Sequence, residues 1–147
     1  MKGLVCKTCG YVALDGNKEV CPVCHMKNVF EEKEDAYKMP DFKAEKGESE
    51  KKHIPLAKHV ESCGIVPETC CNVVHVKIGE ITHPMTPEHF ISELIFYHEN
   101  KFMGMMMFAP DVSPVGVIHL KKDVKGKIQV IENCNLHGKW YNEIEIK

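Results

Sequence analysis

Beyond residue 55 the apolar residues recur with a period of two. Val74, Val76 and Ile78 alternate with His75 and Lys77, and Ile128 and Val130 alternate with Lys127 and Gln129. A strand turns successive side chains to opposite faces, so this spacing predicts strands with one buried side. Residues 91–97 and the Met-rich run 101–108 are apolar enough to be central strands, and His98, Glu99 and Asn100 between them read as their turn. Trp140, Ile144 and Ile146 fall on one face of a last strand. Several short strands without a convincing long helix predict a mainly β protein whose body is an antiparallel β-sandwich. Met103, Met105, Met106 and Met107 could serve a soft metal through their thioethers, but their place in a strand favours core packing, where flexible side chains fill gaps.

The pattern divides the chain into three stretches: a cysteine-bearing module over 1–30, a segment over 31–50, and the strand-rich region 51–147. The middle segment runs from Glu31-Glu32-Lys33-Glu34-Asp35 to Glu48-Ser49-Glu50 with few apolar positions. It is expected to be a solvated linker with at most a short helical turn.

Composition narrows the function. The net charge is -2 and no arginine is present, so the bidentate phosphate and base-edge contacts that arginine makes are missing, which argues against nucleic acid as a partner. No apolar run approaches a membrane span, and the first cysteine motif begins at Cys6, so a cytoplasmic protein without a leader is expected.

Four of the eight cysteines form two Cys-x-x-Cys pairs, Cys6/Cys9 and Cys21/Cys24, separated by eleven residues. Such knuckles turn backbone N–H groups toward the sulfurs, and Gly10 can adopt the positive φ that the turn requires. Two knuckles predict one tetrahedral four-thiolate site, in iron or in zinc, whose metal contributes much of the module's folding free energy. Cys63, Cys70 and Cys71 are left over. Adjacent strand residues face opposite ways, so Cys70 and Cys71 cannot share one core, and all three are expected to be small buried or half-buried thiols.

Three further segments offer donors to a second metal: Lys51-Lys52-His53-Ile54-Pro55, His83-Pro84-Met85-Thr86-Pro87-Glu88-His89 and Cys134-Asn135-Leu136-His137-Gly138. Together they present one thiolate and four imidazoles, a set suited to iron or zinc rather than to magnesium or calcium. Five donors exceed a closed tetrahedral zinc site and favour iron with an open sixth position. His25, His59, His75, His98 and His119 lie outside these motifs and are read as structural.

In this order the three motifs closely resemble those of the superoxide reductase family, which includes neelaredoxin and desulfoferrodoxin, over about two-thirds of the chain. The Cys-Gly-Tyr and Cys-Pro-x-Cys of the N-terminal module resemble a short rubredoxin-like domain. The resemblance implies an immunoglobulin-like sandwich of about seven strands. It also implies a catalytic iron held equatorially by His53, His83, His89 and His137, with Cys134 as axial thiolate. A thiolate opposite an open position pushes electron density through the metal toward a small bound anion. N–H groups of residues 135–137 are expected to hydrogen-bond its sulfur.

The implied reaction is one-electron reduction of superoxide to hydrogen peroxide, with two protons taken up and no oxygen released. Lys52 matches the family's lysine over the open site, where a cation attracts superoxide and orders a proton-donating water. The chain departs from the family at Lys51, where a glutamate is usual. Glu50, one residue earlier, need not reach, which leaves the sixth ligand of the ferric state open. A small electron carrier such as a rubredoxin and a homo-oligomer, dimer or tetramer, are the expected partners. A non-enzymatic electron-transfer or metal-holding protein is the alternative, and an interaction scaffold on a zinc ribbon is a third.

Overall fold

The structure, a computed structural model, describes residues 1–61 and 72–147. Cys63, Cys70 and Cys71 lie outside the described residues. The N-terminal module is a three-stranded antiparallel sheet in the order β2 (Val12–Ala13), β1 (Gly3–Cys6), β3 (Phe30–Lys33). A short helix, α1 (Glu48–His53), leads into β4 (Pro55–Val60) and β5 (Asn72–Ile78). Then come β6 (Ile91–His98), β7 (Lys101–Met107), β8 (Val115–Leu120), β9 (Gly126–Cys134) and β10 (Gly138–Ile146).

Two antiparallel sheets form the body, one of four strands in the order β10-β9-β6-β7 and one of three in the order β4-β5-β8. Val74, Val76 and Ile78 turn inward from β5 while His75 and Lys77 face solvent. They meet Ile91, Leu94 and Phe96 of β6 and Ile128, Val130 and Cys134 of β9 in one apolar cluster. The expected alternation therefore holds on both sides of the core. Gln129 is the exception. It is buried because the β6–β7 turn folds over it, its amide donating to Asn100 Oδ1 at 2.5 Å while its Oε1 accepts from the Asn100 N–H at 3.1 Å.

The Met-rich strand differs from the expectation for a central strand, because β7 lies at the edge of its sheet. Met103 and Met106 pack on the sandwich core and Met105 on the opposite face, whereas Met107 is 76% exposed at the strand's end. Among the other histidines, His59 pairs with Asn72 Oδ1 and His98 donates to the Lys125 carbonyl, while His25, His75 and His119 are exposed.

The charged stretch after residue 30 also differs from a solvated linker. Glu31, Glu32 and Lys33 belong to β3 and pair with β1, and all three are exposed. Ala36 and Tyr37 are buried, and the Lys38 N–H donates to the Lys139 carbonyl at 2.8 Å while the Tyr141 N–H donates to the Lys38 carbonyl at 3.0 Å. Backbone pairing satisfies polar groups whatever the side-chain charge, so a charge-rich run can still be a strand.

A second core lies on the outer face of the four-stranded sheet. Val5, Tyr11, Val12, Ala36 and Tyr37 pack there with Ile95, Tyr97, Ile131 and Tyr141. Tyr97 donates from its hydroxyl to the Val12 carbonyl at 2.8 Å, a buried hydrogen bond that joins module and sandwich.

Candidate metal centre

Four imidazoles converge at one end of the sandwich. Neighbouring ring centroids are separated by 4.8 Å (His53–His83), 4.6 Å (His83–His89), 4.9 Å (His89–His137) and 4.9 Å (His137–His53), with a His53–His89 diagonal of 6.3 Å. These are the sides and a diagonal of a near-square. The donor atoms of His53, His83, His89 and Cys134 lie within 4.8 Å of one another, and Cys134 Sγ is 3.6 Å from His137 Nδ1.

Each donor comes from a different local device. His53 ends α1, and its Nδ1 donates to the Ser49 carbonyl at 2.7 Å. His83 lies in the loop after β5, with Nδ1 donating to the Pro84 carbonyl at 2.7 Å. Both hydrogen bonds fix the tautomer and leave Nε2 as a bare lone pair. His89 is held by a tight turn in which its N–H donates to the Thr86 carbonyl at 3.1 Å and the Thr86 N–H donates to the His89 carbonyl at 3.0 Å. Cys134 ends β9, and His137 lies in the turn to β10, which Gly138 completes at φ 78°.

Asn135 ties this turn to the His89 segment. Its Oδ1 accepts from the Phe90 N–H at 2.9 Å and its Nδ2 donates to the Glu88 carbonyl at 3.0 Å. The Asn135 N–H donates to the Phe90 carbonyl rather than to sulfur, so only the N–H groups of Leu136 and His137 face Cys134 Sγ, a narrower set than 135–137. Trp140 stacks on His53 at 5.1 Å and 15°, and Lys38 lies 4.9 Å over the indole while its ammonium donates to the His137 carbonyl at 2.8 Å. The sequence reading missed Trp140, Lys38 and the carbonyls of Ser49 and Pro84. The Asn between Cys and His was the one motif letter that could have pointed to such a staple.

The electrostatics suit a cation. Burial is the main cause that lowers the basicity of His53, His83 and His89, with His83 reaching about 4, so the lone pairs are free of protons at neutral pH. His53 Nε2 and His83 Nε2 face each other at 3.2 Å, and His89 Nε2 is buried with no partner among the described residues. Lone pairs crowded in this way repel unless a positive charge lies among them. Burial pushes the Cys134 thiol up, opposed by the two N–H groups. Two residues earlier on β9, Glu132 is fully buried with neither oxygen partnered among the described residues, and burial raises its carboxyl well above the usual carboxylate range. The donor set of His53, His83, His89 and Cys134 therefore suits a single ion, and His137 Nδ1 faces the Cys134 sulfur beside it.

His53, His83 and Cys134 are buried, while His137 is exposed and His89 half-buried, so the site opens to solvent on one side. Lys52 occupies the last turn of α1 and pairs with Glu48 at 2.9 Å, and its charge reaches His89. Lys51 instead lines a separate cavity with Phe42, Glu50 and Leu56.

The second cluster is the four-cysteine group. The ligand atoms of Cys6, Cys9, Cys21 and Cys24 lie within 4.8 Å of one another, and the sulfur pairs Cys6–Cys24 and Cys9–Cys21 are both at 3.6 Å. Gly10 adopts φ 83° as expected, and His25 takes the equivalent left-handed position at φ 64° in the second knuckle. Burial disfavours the Cys6 thiolate, but the N–H groups of Cys9 and Thr8 outweigh it and bring the thiol down to about 7. The N–H groups of Cys24 and Val23 do the same work at the Cys21 sulfur, where burial still prevails.

A two-sheet sandwich with an imidazole square and a thiol at one end defines a mononuclear metalloprotein. A family model described as Desulfoferrodoxin matches residues 45–143, and the chain belongs to that family. It is 33% identical to the superoxide reductase of Pyrococcus abyssi over 77% of this chain and 97% of that one. It is 31% identical to the desulfoferrodoxin of Clostridium acetobutylicum over 65% of each chain. A solved variant of the superoxide reductase (neelaredoxin) of Ignicoccus hospitalis superposes with a TM-score of 0.58 at 27% identity, covering 76% of this chain and 93% of that one. No helix among the described residues is long and apolar enough to cross a membrane.

Proposed function

We propose that the chain is a superoxide reductase that converts superoxide, one electron and two protons to hydrogen peroxide without releasing oxygen, and that His53, His83, His89, His137 and Cys134 are its iron ligands. The observation that carries this reading is the near-square of four imidazoles with the Cys134 sulfur in reach of all of them. Iron held there would supply the one reducing electron. The carbonyls of Ser49 and Pro84 hold His53 and His83 in the ligating tautomer, and Asn135 keeps the turn bearing Cys134 and His137 against the His89 segment. The Leu136 and His137 N–H groups moderate the charge on the Cys134 sulfur.

Lys52 attracts the superoxide anion to the solvent side and offers its N–H donors to a water that can pass on a proton. The four-cysteine module is read as an iron rather than a zinc site, reduced by a small cytoplasmic carrier of the rubredoxin type, in a homo-oligomer. Functionally the chain divides into this module, its connection through residue 50, and the reductase body from residue 51.

The test is stoichiometric. Chemically reduced protein mixed with superoxide should yield hydrogen peroxide with no evolved oxygen. Cys134→Ser should lose the low-energy sulfur-to-metal absorption of the oxidised site and slow the reaction by roughly tenfold or more, while the four-cysteine spectrum stays unchanged. Oxygen evolution, or an unaltered low-energy band in Cys134→Ser, defeats the reading.

A further inference from the structure

Lys38 brings a cation to the imidazole site from outside the stretch of chain that defines the family. The Desulfoferrodoxin model matches residues 45–143, and Lys38 lies earlier, in the strap after β3. That strap is firmly seated. Ala36 and Tyr37 are buried, the Tyr37 ring packs against Tyr141 with centroids 5.5 Å apart, and Lys38 bridges in parallel to Trp140 of β10. Two backbone hydrogen bonds hold the bridge, the Lys38 N–H donating to the Lys139 carbonyl at 2.8 Å and the Tyr141 N–H to the Lys38 carbonyl at 3.0 Å.

From this anchor the ammonium makes two contacts, each one step from a proposed ligand. It donates to the carbonyl of His137 at 2.8 Å, and it lies 4.9 Å over the Trp140 indole, on which His53 is stacked at 5.1 Å. An aromatic face attracts a cation, so both contacts keep the charge where it is. No carboxylate among the described residues forms an ion pair with Lys38, whereas the Lys52 ammonium is taken up by Glu48 at 2.9 Å. Burial is the main cause that lowers His53 and raises Cys134, and the Lys38 charge acts at both in the direction of fewer protons, so its field reaches two sides of the site. Trp140 is only 7% exposed, and charges interact more strongly through such protein than through water. A fixed positive charge disfavours the oxidation state in which a neighbouring metal carries more charge, and so it favours the reduced one.

From this geometry we infer that Lys38 is a positioning residue that acts through Trp140 and His137 to raise the reduction potential of the histidine–cysteine site, keeping it in the reduced state from which the proposed reaction starts. The inference rests on the reading of His53, His137 and Cys134 as ligands of a redox-active iron. The step it biases is the gain of one electron by that site from a small external electron carrier, which is oxidised in return, with no bond to a ligand made or broken.

The experiment is an optical redox titration of the full-length, iron-loaded protein that follows the low-energy sulfur-to-metal band of the oxidised site. Lys38→Met removes both charge and donor, Lys38→Gln keeps a donor for the His137 carbonyl without the charge, and Lys38→Arg keeps both. In the Met and Gln variants the equilibrium constant for reduction should fall roughly tenfold, which is about 59 mV for a one-electron couple, while Lys38→Arg stays at the wild-type value. An unchanged potential in Lys38→Met overturns the inference. So does a drop in Lys38→Arg equal to that in Lys38→Met, or a wild-type potential in Lys38→Gln, because packing or the hydrogen bond would then set the potential in place of the charge. Should Lys38→Met fail to fold, the Gln and Arg pair decides. The proposed function fails separately: reduced wild-type protein that evolves oxygen or yields no hydrogen peroxide defeats the reaction, whatever the potentials of the variants.

Discussion

Lys52 combines two contacts that pull in different directions. Its ammonium is held at 2.9 Å by Glu48 one helical turn back, yet it remains close enough to influence His89 at the solvent side of the site. The ion pair is exposed and adds little to stability, so its consequence is positional. Lys52→Ala should slow the second-order encounter with superoxide by about tenfold. Added salt should slow the wild type more than the variant, since screening removes an attraction that only the wild type has. Equal salt sensitivity in stopped-flow traces would exclude Lys52 from guiding the anion.

The β9–β10 turn is the element on which the site depends most, because it carries two donors and is fastened to a third by Asn135. Removing that side chain in Asn135→Ala leaves the Phe90 N–H and the Glu88 carbonyl without their side-chain partner. The expected loss is about 1–3 kcal/mol of stability, seen in urea titration, together with weaker metal retention. Elements with a strong local signal were legible in the sequence. The alternation of Val74, Val76 and Ile78 located β5, and the His98-Glu99-Asn100 turn located the β6–β7 hairpin, where Glu99 and Asn100 take φ 47° and 70°. The four-cysteine motif was legible because knuckle spacing is dictated by the ion, whereas the scattered histidine and cysteine donors of the second site were read through the family resemblance of their motifs. β3 and the strap were not, since their signal is backbone pairing and two apolar residues, Ala36 and Tyr37, in a charged run. The contacts of Lys38 with His137 and Trp140 join positions about a hundred residues apart, and no local pattern encodes them.

At the scale of the whole molecule, all four tyrosines lie in the core between module and sandwich. Tyr11, Tyr37, Tyr97 and Tyr141 are each raised above the ordinary phenol value, with burial as the largest cause. The folded state therefore keeps its phenolic protons at pH values where the unfolded chain, ionising near pH 10, gives them up. Stability contributed by the neutral phenols is complete below about pH 10 and declines as pH rises beyond it, by up to about 1.4 kcal/mol per tyrosine per pH unit. The melting temperature should hold steady up to about pH 10 and then fall, with tyrosinate absorbance appearing only as the protein unfolds. Tyrosinate absorbance rising well before unfolding would contradict the burial argument. The same core means that deleting the module would bare Ile95, Tyr97, Ile131 and Tyr141 to water.

The scattered origin of the imidazoles has a kinetic consequence. His53, His83, His89 and His137 come from a helix end, two loops and a hairpin turn, so no short piece of chain holds enough of them to keep an ion once the sheets part. The four cysteines come from two knuckles within nineteen residues, 6–24, and can grip an ion locally. Exposed to a strong chelator, the metal ions of the two sites should leave on different clocks, the histidine-bound one at the rate of global opening and the cysteine-bound one independently of it. The colour of the histidine site then becomes a running measure of how often the whole protein comes apart.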